Sequence, residues 1–217
     1  MRRLITILGF FSFALAANAA AEPSKPLVVS SFTIITDWVQ VIGYKRVEIV
    51  NLVPTHSETH GYQLSARNAR DLRRAQLIVG MSPTLEPWLE AWAKSNDRTA
   101  QLLWLYDDRK PAHDGHAHGS DPHAWTDPSA VKKMTRVLAT RLGELIGADH
   151  TEMSYQQYVK EVERVDETLR RLFSTLPAVR RNLVTQHANL SHFADSYGLR
   201  IARTILASSS AESADPS

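Results

Sequence analysis

Residues 27–43 read LVVSSFTIITDWVQVIG, and this stretch introduces the pattern that decides the fold. Its first part, Leu27–Phe32, is a short apolar run, which is typical of a strand buried on both faces. From Thr33 onward apolar side chains recur with helical spacing, and Gly43 closes the segment, as glycine often does at a helix end. A strand that leads directly into a helix predicts the start of a βαβ unit.

The same alternation continues through the next part of the chain. Further short apolar runs predict strands, and amphipathic stretches between them predict helices, one of them capped by Ser65. The predicted strands are Val47–Val53, Leu77–Gly80 and Leu102–Leu105, and a predicted helix covers Leu85–Lys94. Strands that alternate with helices favour a mostly parallel sheet covered by helices on both faces.

The second half of the chain predicts two long helices and a second strand-helix-strand unit. Asp127 and Pro128 form a helix start, with Asp as the N-cap and Pro at the first helical position, and this helix runs to about Ile146. The next helical pattern, Thr151–Leu176, is long and densely charged, so it could bridge two lobes or lie as an ordinary amphipathic surface helix. The second unit is predicted as strand Asn182–Thr185, helix Leu190–Tyr197 and strand Leu199–Leu206.

The predicted architecture is therefore α/β, with two lobes whose parallel sheets are joined by a long helix. Its predicted divisions are a signal peptide at 1–21, an N-terminal lobe at 22–148 with a histidine-rich loop at 106–122, a linking helix at 149–176 and a partial C-terminal lobe at 177–217. One strand-helix-strand unit cannot cover both faces of its own sheet, so we expect the second lobe to be incomplete.

The N-terminus has the order of a secretory signal peptide. Arg2 and Arg3 precede the apolar run Leu4–Ala17, and small residues follow, with cleavage expected after Ala19 or Ala21. A membrane anchor is the alternative, but the run is short for a transmembrane span. The chain has no cysteine to carry a lipid, so the expectation is a periplasmic protein without a lipid anchor.

Charge and cysteine content exclude several classes of protein. The chain has 25 basic and 23 acidic residues, and the leader holds two of the basic residues and none of the acidic ones. The exported chain is thus formally neutral, and its electrostatics give no case for nucleic-acid binding. The absence of cysteine excludes disulfides and thiolate metal sites alike.

Residues 113–128, HDGHAHGSDPHAWTDP, hold four of the nine histidines among several aspartates. Imidazole and carboxylate groups suit zinc and related divalent metals. His113, His116 and His118 lie among Gly and Ala, which indicates a flexible tract that collects ions or a solvated low-complexity insert. His123 directly follows a proline and precedes a helix start, which favours a place in a defined site.

Three histidines follow predicted strands, at the edge where open α/β sheets place their ligands. These are His60, His123 and His187, and an aromatic residue lies near each, namely Tyr62, Trp125 and Phe193. The intervals between them are too long for a local metal-binding motif, so only the fold could bring them together. Taken singly, each could also be an ordinary surface or hydrogen-bonded histidine.

Three segments carry a resemblance to a known family: THGYQLSARNARDL at 59–72, DPHAWTDPSAV at 121–131 and LVTQHANLSHFADSYGL at 183–199. They resemble the metal-binding proteins of zinc and manganese ABC importers, the cluster A-I solute-binding proteins. The resemblance covers essentially the whole exported chain and implies that His60, His123 and His187 are metal ligands. Manganese members typically carry Glu at the third position, so His187 argues for Zn²⁺ over Mn²⁺, as does a set of three neutral imidazoles.

The resemblance implies a non-enzymatic periplasmic protein that delivers zinc to the membrane permease of an ABC importer, and we expect it to act as a monomer. His113, His116 and His118 resemble the ion-gathering loop of zinc members. The chain ends, at SSSAESADPS, before the region from which the family supplies a fourth carboxylate ligand, so Glu58 is the nearest candidate for a supplementary ligand. On this basis the sequence looks C-terminally truncated.

Two other functions are compatible with part of the same pattern. Three histidines with an open water position are also the layout of a zinc hydrolase, but no HExxH motif is present. A non-functional or zinc-storage fragment, which would bind zinc through the loop alone, is the second alternative.

Overall fold

The computed structural model of the 217-residue chain describes residues 24–109 and 121–206. The predicted leader, the tail from residue 207 and the histidines His113, His116 and His118 lie outside the described residues. The strands are β1 Leu27–Ser30, β2 Glu48–Asn51, β3 Leu77–Gly80, β4 Leu102–Trp104, β5 Asn182–Thr185 and β6 Arg200–Thr204. The helices are α1 Thr33–Gly43, α2 Ala66–Arg74, α3 Pro87–Ser95, α4 Pro128–Ile146, α5 Ala148–Ser174 and α6 Ser191–Ser196.

The first sheet is parallel throughout, in the order β2-β1-β3-β4. Every residue of the central strands β1 and β3 is buried, because helices cover both faces of a parallel sheet. Alternate side chains of these strands belong to two separate cores, one on each face of the sheet. Val28 and Val79 face α1 and α4, whereas Val29 and Ile78 face α2 and α3. The predicted α/β architecture with a parallel sheet is thus confirmed.

Two helix starts are fixed by local hydrogen bonds at the predicted residues. Ser65 caps α2, its Oγ accepting from the backbone N–H of Asn68 at 3.1 Å, and the Asn68 side chain closes a capping box. Asp127 caps α4 by accepting from the N–H groups of Ser129 and Ala130 at 2.9 and 3.2 Å. Both N-cap predictions are confirmed, since such caps depend on residues only two or three positions away.

Helix α5 joins the sheet unit to the second unit of the fold. It has 27 residues and is therefore about 40 Å long. Near its start Tyr155 is buried against α4, and near its end Leu169 and Phe173 pack on the small core of the second unit. Within the described residues, no helix combines the length and the apolar character needed to cross a bilayer.

The second unit is a two-stranded parallel sheet, β5 and β6, with α6 between them. Its core is small and consists of Ala194, Tyr197 and Leu199, with Leu183, Phe193 and Ile201 packed around it. On the other side of the sheet Val184 is 65% exposed, and Ile205, just beyond β6, is 70% exposed. The helix and the last strand of this unit are each slightly shorter than the sequence predicts, since Tyr197 and Leu199 serve as core residues in the turn between them.

Candidate metal centre

The three predicted ligands approach one another at the carboxyl ends of the strands. The ring centres of His60 and His123 are 5.5 Å apart, and those of His123 and His187 are 5.8 Å apart. His60 comes from the loop after β2, His123 from the segment after β4, and His187 from the loop after β5. The structure thus brings the three together, with His123 in contact with both of the others.

The separations between the rings are close to those of a histidine-ligated metal. For zinc bound tetrahedrally through ring nitrogens at about 2.0–2.1 Å, neighbouring imidazole centres lie about 5 Å apart. As the side chains stand, however, residues 24–109 and 121–206 contain no group of three or more His, Asp or Glu side chains arranged to hold a metal ion. The rings would have to close by about 0.5 Å and turn their nitrogens toward one point.

Two of the three histidines are held by a carboxylate two residues earlier in the chain. Asp121 Oδ1 accepts from the backbone N–H of His123 at 3.0 Å and lies 2.6 Å from its Nδ1. Glu58 Oε1 does the same for His60, at 2.9 Å from the backbone nitrogen and 2.7 Å from Nδ1. An ionised carboxylate can only accept, so Nδ1 carries a proton in both rings, and Nε2 of the neutral ring then keeps a lone pair for a metal.

The charge of these two carboxylates supports the same assignment. Burial raises the pKa of Asp121, but hydrogen bonds from the side chain and backbone of His123 outweigh it, and the pKa lies below its ordinary value. Burial also raises the pKa of Glu58, which is less buried than Asp121, but hydrogen bonds from His60 outweigh it and the pKa is lowered. Both groups are therefore ionised at neutral pH. Glu58, predicted as a supplementary ligand, has one oxygen engaged with the ring of His60.

Aromatic side chains fix the surroundings of the histidines. The Trp125 ring lies edge-on to His123 at 5.1 Å and packs on Phe32 at 5.4 Å. The Trp88 indole N–H donates to the carbonyl of Thr59, the residue before His60, at 2.9 Å. This hydrogen bond ties the loop that carries His60 to the start of α3.

The three aromatic residues noted in the sequence have different positions. Trp125 contacts the site directly, and Tyr62 packs on Trp88 at 5.3 Å while its hydroxyl donates to the carbonyl of Leu52. Phe193 packs instead on Phe173 and Tyr197 in the second core, because its side of α6 faces α5.

A buried acidic group at the end of β3 was not anticipated from the sequence. Glu86 is fully buried, and its Oε2 accepts from the backbone N–H groups of Met81 and Ser82 at 2.6 and 3.1 Å. Burial raises the pKa of Glu86 to about 8. Asp108 lies nearby and accepts from the hydroxyls of Ser82 and Thr84.

Comparison with known proteins gives relatives that bind different metals. The chain is 29% identical over 208 residues to the iron-binding protein YfeA of Yersinia pestis, covering 91% of this chain and 66% of that protein. It is 28% identical over 197 residues to the zinc-binding protein TroA of Treponema pallidum, covering 88% and 63%. It is 25% identical over 174 residues to the manganese-binding lipoprotein MntA of Halalkalibacterium halodurans, covering 79% and 57%. The chain therefore spans less than two thirds of the length of these relatives.

The fold is shared with solved structures of the same kind. The periplasmic zinc-binding protein TroA superposes with a TM-score of 0.75 at 24% identity, covering 83% of this chain and 66% of that one. The model of the family described as zinc-uptake complex component A, periplasmic, matches residues 28–217. That family consists of metal-binding solute-binding proteins and not of enzymes, so the prediction that the chain is not a hydrolase is confirmed. The resemblance found in the sequence is likewise confirmed: the chain belongs to the zinc-uptake complex component A family of periplasmic metal-binding proteins.

Proposed function

We propose that this protein binds Zn²⁺ in the periplasm through His60, His123 and His187 and delivers it to the membrane permease of an ABC importer. The observation that carries the proposal is the meeting of the three rings around His123, at 5.5 and 5.8 Å, from three loops far apart in sequence. An ordinary surface histidine needs neither such neighbours nor a carboxylate on its Nδ1. The metal is the cargo of such a protein.

Zinc is the proposed metal because of the donor set. Three neutral imidazoles suit Zn²⁺, whereas Mn²⁺ prefers more oxygen donors. The names of the relatives, which specify iron, zinc and manganese, do not decide between the metals. The fourth position of a zinc tetrahedron would be taken by water or by the second carboxylate oxygen of Glu58.

The proposed place of action follows from the leader and the family. An exported chain with the signal-peptide order of residues 1–21 would meet its metal in the periplasm. The family description, a component of a zinc-uptake complex, supports a membrane permease as the partner. We propose that the protein acts as a monomer and that His113, His116 and His118 collect ions for the site.

Zinc titration with a competing chelator tests the proposal. The variants are His60→Ala, His123→Ala, His187→Ala and the triple alanine variant of His113, His116 and His118. Each single variant should weaken the tightest site by roughly 100-fold or more, since even outer-shell changes at metal sites cost 10- to 100-fold. The triple variant should keep the tight site and lose only weaker binding.

A matched control is available in the same loop as His60. His56 is exposed and follows the same strand, so His56→Ala should leave the tight site unchanged. If His60→Ala also leaves it unchanged while the triple variant abolishes it, the three-histidine site is wrong. The storage interpretation would then be correct. A parallel titration with Mn²⁺ should give weaker binding, and equal or tighter binding would contradict the choice of zinc.

A further inference from the structure

The hydrogen bonds that attach helix α6 to the first unit include two from one of its faces. His192 Nε2 lies 3.0 Å from the main-chain carbonyl oxygen of Asp121, and Ser196 Oγ donates to Asp127 Oδ1 at 2.9 Å. The two donors are four residues apart, so they lie on the same side of the helix. Both acceptors belong to the segment that carries His123.

The bond made by His192 has a defined direction and is shielded from water. A carbonyl oxygen can only accept, so Nε2 of His192 carries the hydrogen. His192 is 7% exposed, and its ring meets Tyr106, just beyond β4, edge-on at 5.9 Å. The ring is therefore fixed both by packing and by the carbonyl.

Asp121 connects this bond to the metal centre. Its carboxylate holds the ring of His123, and its carbonyl receives the hydrogen of His192. His187 lies five residues before His192, on the loop between β5 and α6. The first end of that loop is fastened by the sheet, where the Leu206 N–H donates to the carbonyl of Gln186 at 2.7 Å. Its other end is α6 itself.

Two further polar contacts of α6 hold its C-terminal end to the linking helix, and at its N-terminal end the side chain of Ser191 hydrogen-bonds to the carboxylate of Asp121. The Tyr197 hydroxyl donates to Asp166 at 3.1 Å, and Arg170 donates to the carbonyl of Ser196 at 3.2 Å. These contacts keep α6 on α5 but leave the distance across to His123 undetermined. That distance depends on the contacts with the segment that carries His123, which are made by His192, by Ser196 and by the Ser191 side chain.

We propose that His192 is a positioning residue, whose bond to the Asp121 carbonyl sets the distance of His187 from His123 and so brings the third imidazole to the metal. The proposal rests on the three-histidine function proposed above. His192 is not itself a ligand in this arrangement, because its Nε2 is engaged with the carbonyl.

The test uses Co²⁺ as the probe metal, since its visible absorption reports the number and geometry of its ligands. His192→Phe keeps a ring of similar shape and removes the donor, and His192→Asn keeps a polar group too short to reach the carbonyl. Both should bind Co²⁺ about 10- to 100-fold more weakly, as outer-shell changes do, and both should show the spectrum of His187→Ala. His192→Gln, whose amide can reach the carbonyl, should recover most of the affinity and the spectrum.

Two further measurements separate a positioning role from general damage. Because His192 acts through His187, the losses of affinity in His192→Phe and His187→Ala should not add in the double variant. The control Phe193→Leu disturbs the packing of α6 on Phe173 and Tyr197 but does not touch Asp121. It should lower the melting temperature and leave the Co²⁺ spectrum unchanged.

Several results would overturn the proposal. If His192→Phe and His192→Asn retain the affinity and spectrum of the unmodified protein, His192 does not act through the third ligand. The same conclusion holds if their losses of affinity add fully to that of His187→Ala. Failure of the three-histidine function proposed above gives a different result: His187→Ala alone would then have no effect on Co²⁺ or Zn²⁺ binding.

Discussion

Glu86 should make the stability of the protein depend on pH in a direction opposite to that of most carboxyl groups. Burial, with a smaller contribution from the nearby Asp108, raises its pKa to about 8, although hydrogen bonds from Ser31, Met81 and Ser82 act against the rise. Glu86 Oε1 has no hydrogen-bond partner of normal geometry among the described residues. A neutral carboxyl suits this position, because a proton on Oε1 removes the charge from a fully buried site.

The sign and size follow from linkage. The folded-state pKa, about 8, lies above the ordinary value of 4.5 that applies to the unfolded chain. The stabilising effect of the neutral form is therefore fully present below pH 4.5 and is lost as the pH rises through 8. The gap between the two values corresponds to about 5 kcal/mol of unfolding free energy, lost with a slope of up to about 1.4 kcal/mol per pH unit.

Urea unfolding of the unmodified protein and of Glu86→Gln, followed by tryptophan fluorescence between pH 5 and 9, measures this effect. Glutamine keeps an oxygen for the N–H groups of Met81 and Ser82 and cannot ionise, so this component of the pH dependence should vanish. Glu90→Gln is the control, since Glu90 lies on α3 in contact with Lys94 and Arg109 and its pKa is lowered. If the unmodified protein and Glu86→Gln lose equal stability between pH 5 and 8, Glu86 is not a buried neutral acid.

Three further predictions follow from single contacts. Glu58→Gln and Asp121→Asn should each lower zinc affinity about 10- to 100-fold in chelator competition, because the Nδ1 proton of His60 or His123 loses its charged acceptor. Unchanged zinc affinity in both variants would contradict the orienting role of the two carboxylates. Trp88→Phe removes the donor to the carbonyl of Thr59 and should weaken zinc binding while the urea midpoint stays near its original value. A lower urea midpoint with unchanged zinc affinity would mean that Trp88 stabilises the fold and does not position His60. Asp127→Ala should cost about 1 kcal/mol in urea unfolding through loss of the α4 cap, and a further amount because Ser196 loses its acceptor. An unchanged urea midpoint would mean that other groups replace both contacts.

The sequence predicts most of the fold because its signals are local. Strands β3 and β5 have the predicted limits, since each is a short run bounded by a turn or a polar segment. The caps at Ser65 and Asp127 are set by neighbours two or three residues away. Strand β2 is shorter than predicted, although the N–H groups of Leu52 and Val53 still bond to the carbonyls of Ser30 and Ser31 beyond its assigned end.

The site depends on distances that no local pattern contains. Ligands of open α/β sheets gather at the carboxyl ends of the strands, and this rule places the three histidines at one edge. It does not say which side chains orient them. The carboxylates at Glu58 and Asp121 share one signal, an acid two residues before a histidine, and that repeated spacing could have identified them. His192 has no such signal, because its partner, the Asp121 carbonyl, is 71 residues away.

The proposed ligands are unequally held, and this bears on how a cargo ion could leave. His60 and His123 belong to the sheet unit, and each ring is oriented by an ionised carboxylate before any metal arrives. His187 belongs to the second unit, whose attachment to the His123 segment includes the bond from His192 to a carbonyl, contributing about 1 kcal/mol, and the bond from Ser196 to a charged acceptor, contributing about 1.5–3 kcal/mol. Separating the second unit therefore requires at least a few kcal/mol, and it removes one imidazole while the other two stay in place. By linkage, docking of α6 and metal binding favour each other by the same factor, so a permease that binds the separated form would lower metal affinity without touching His60 or His123.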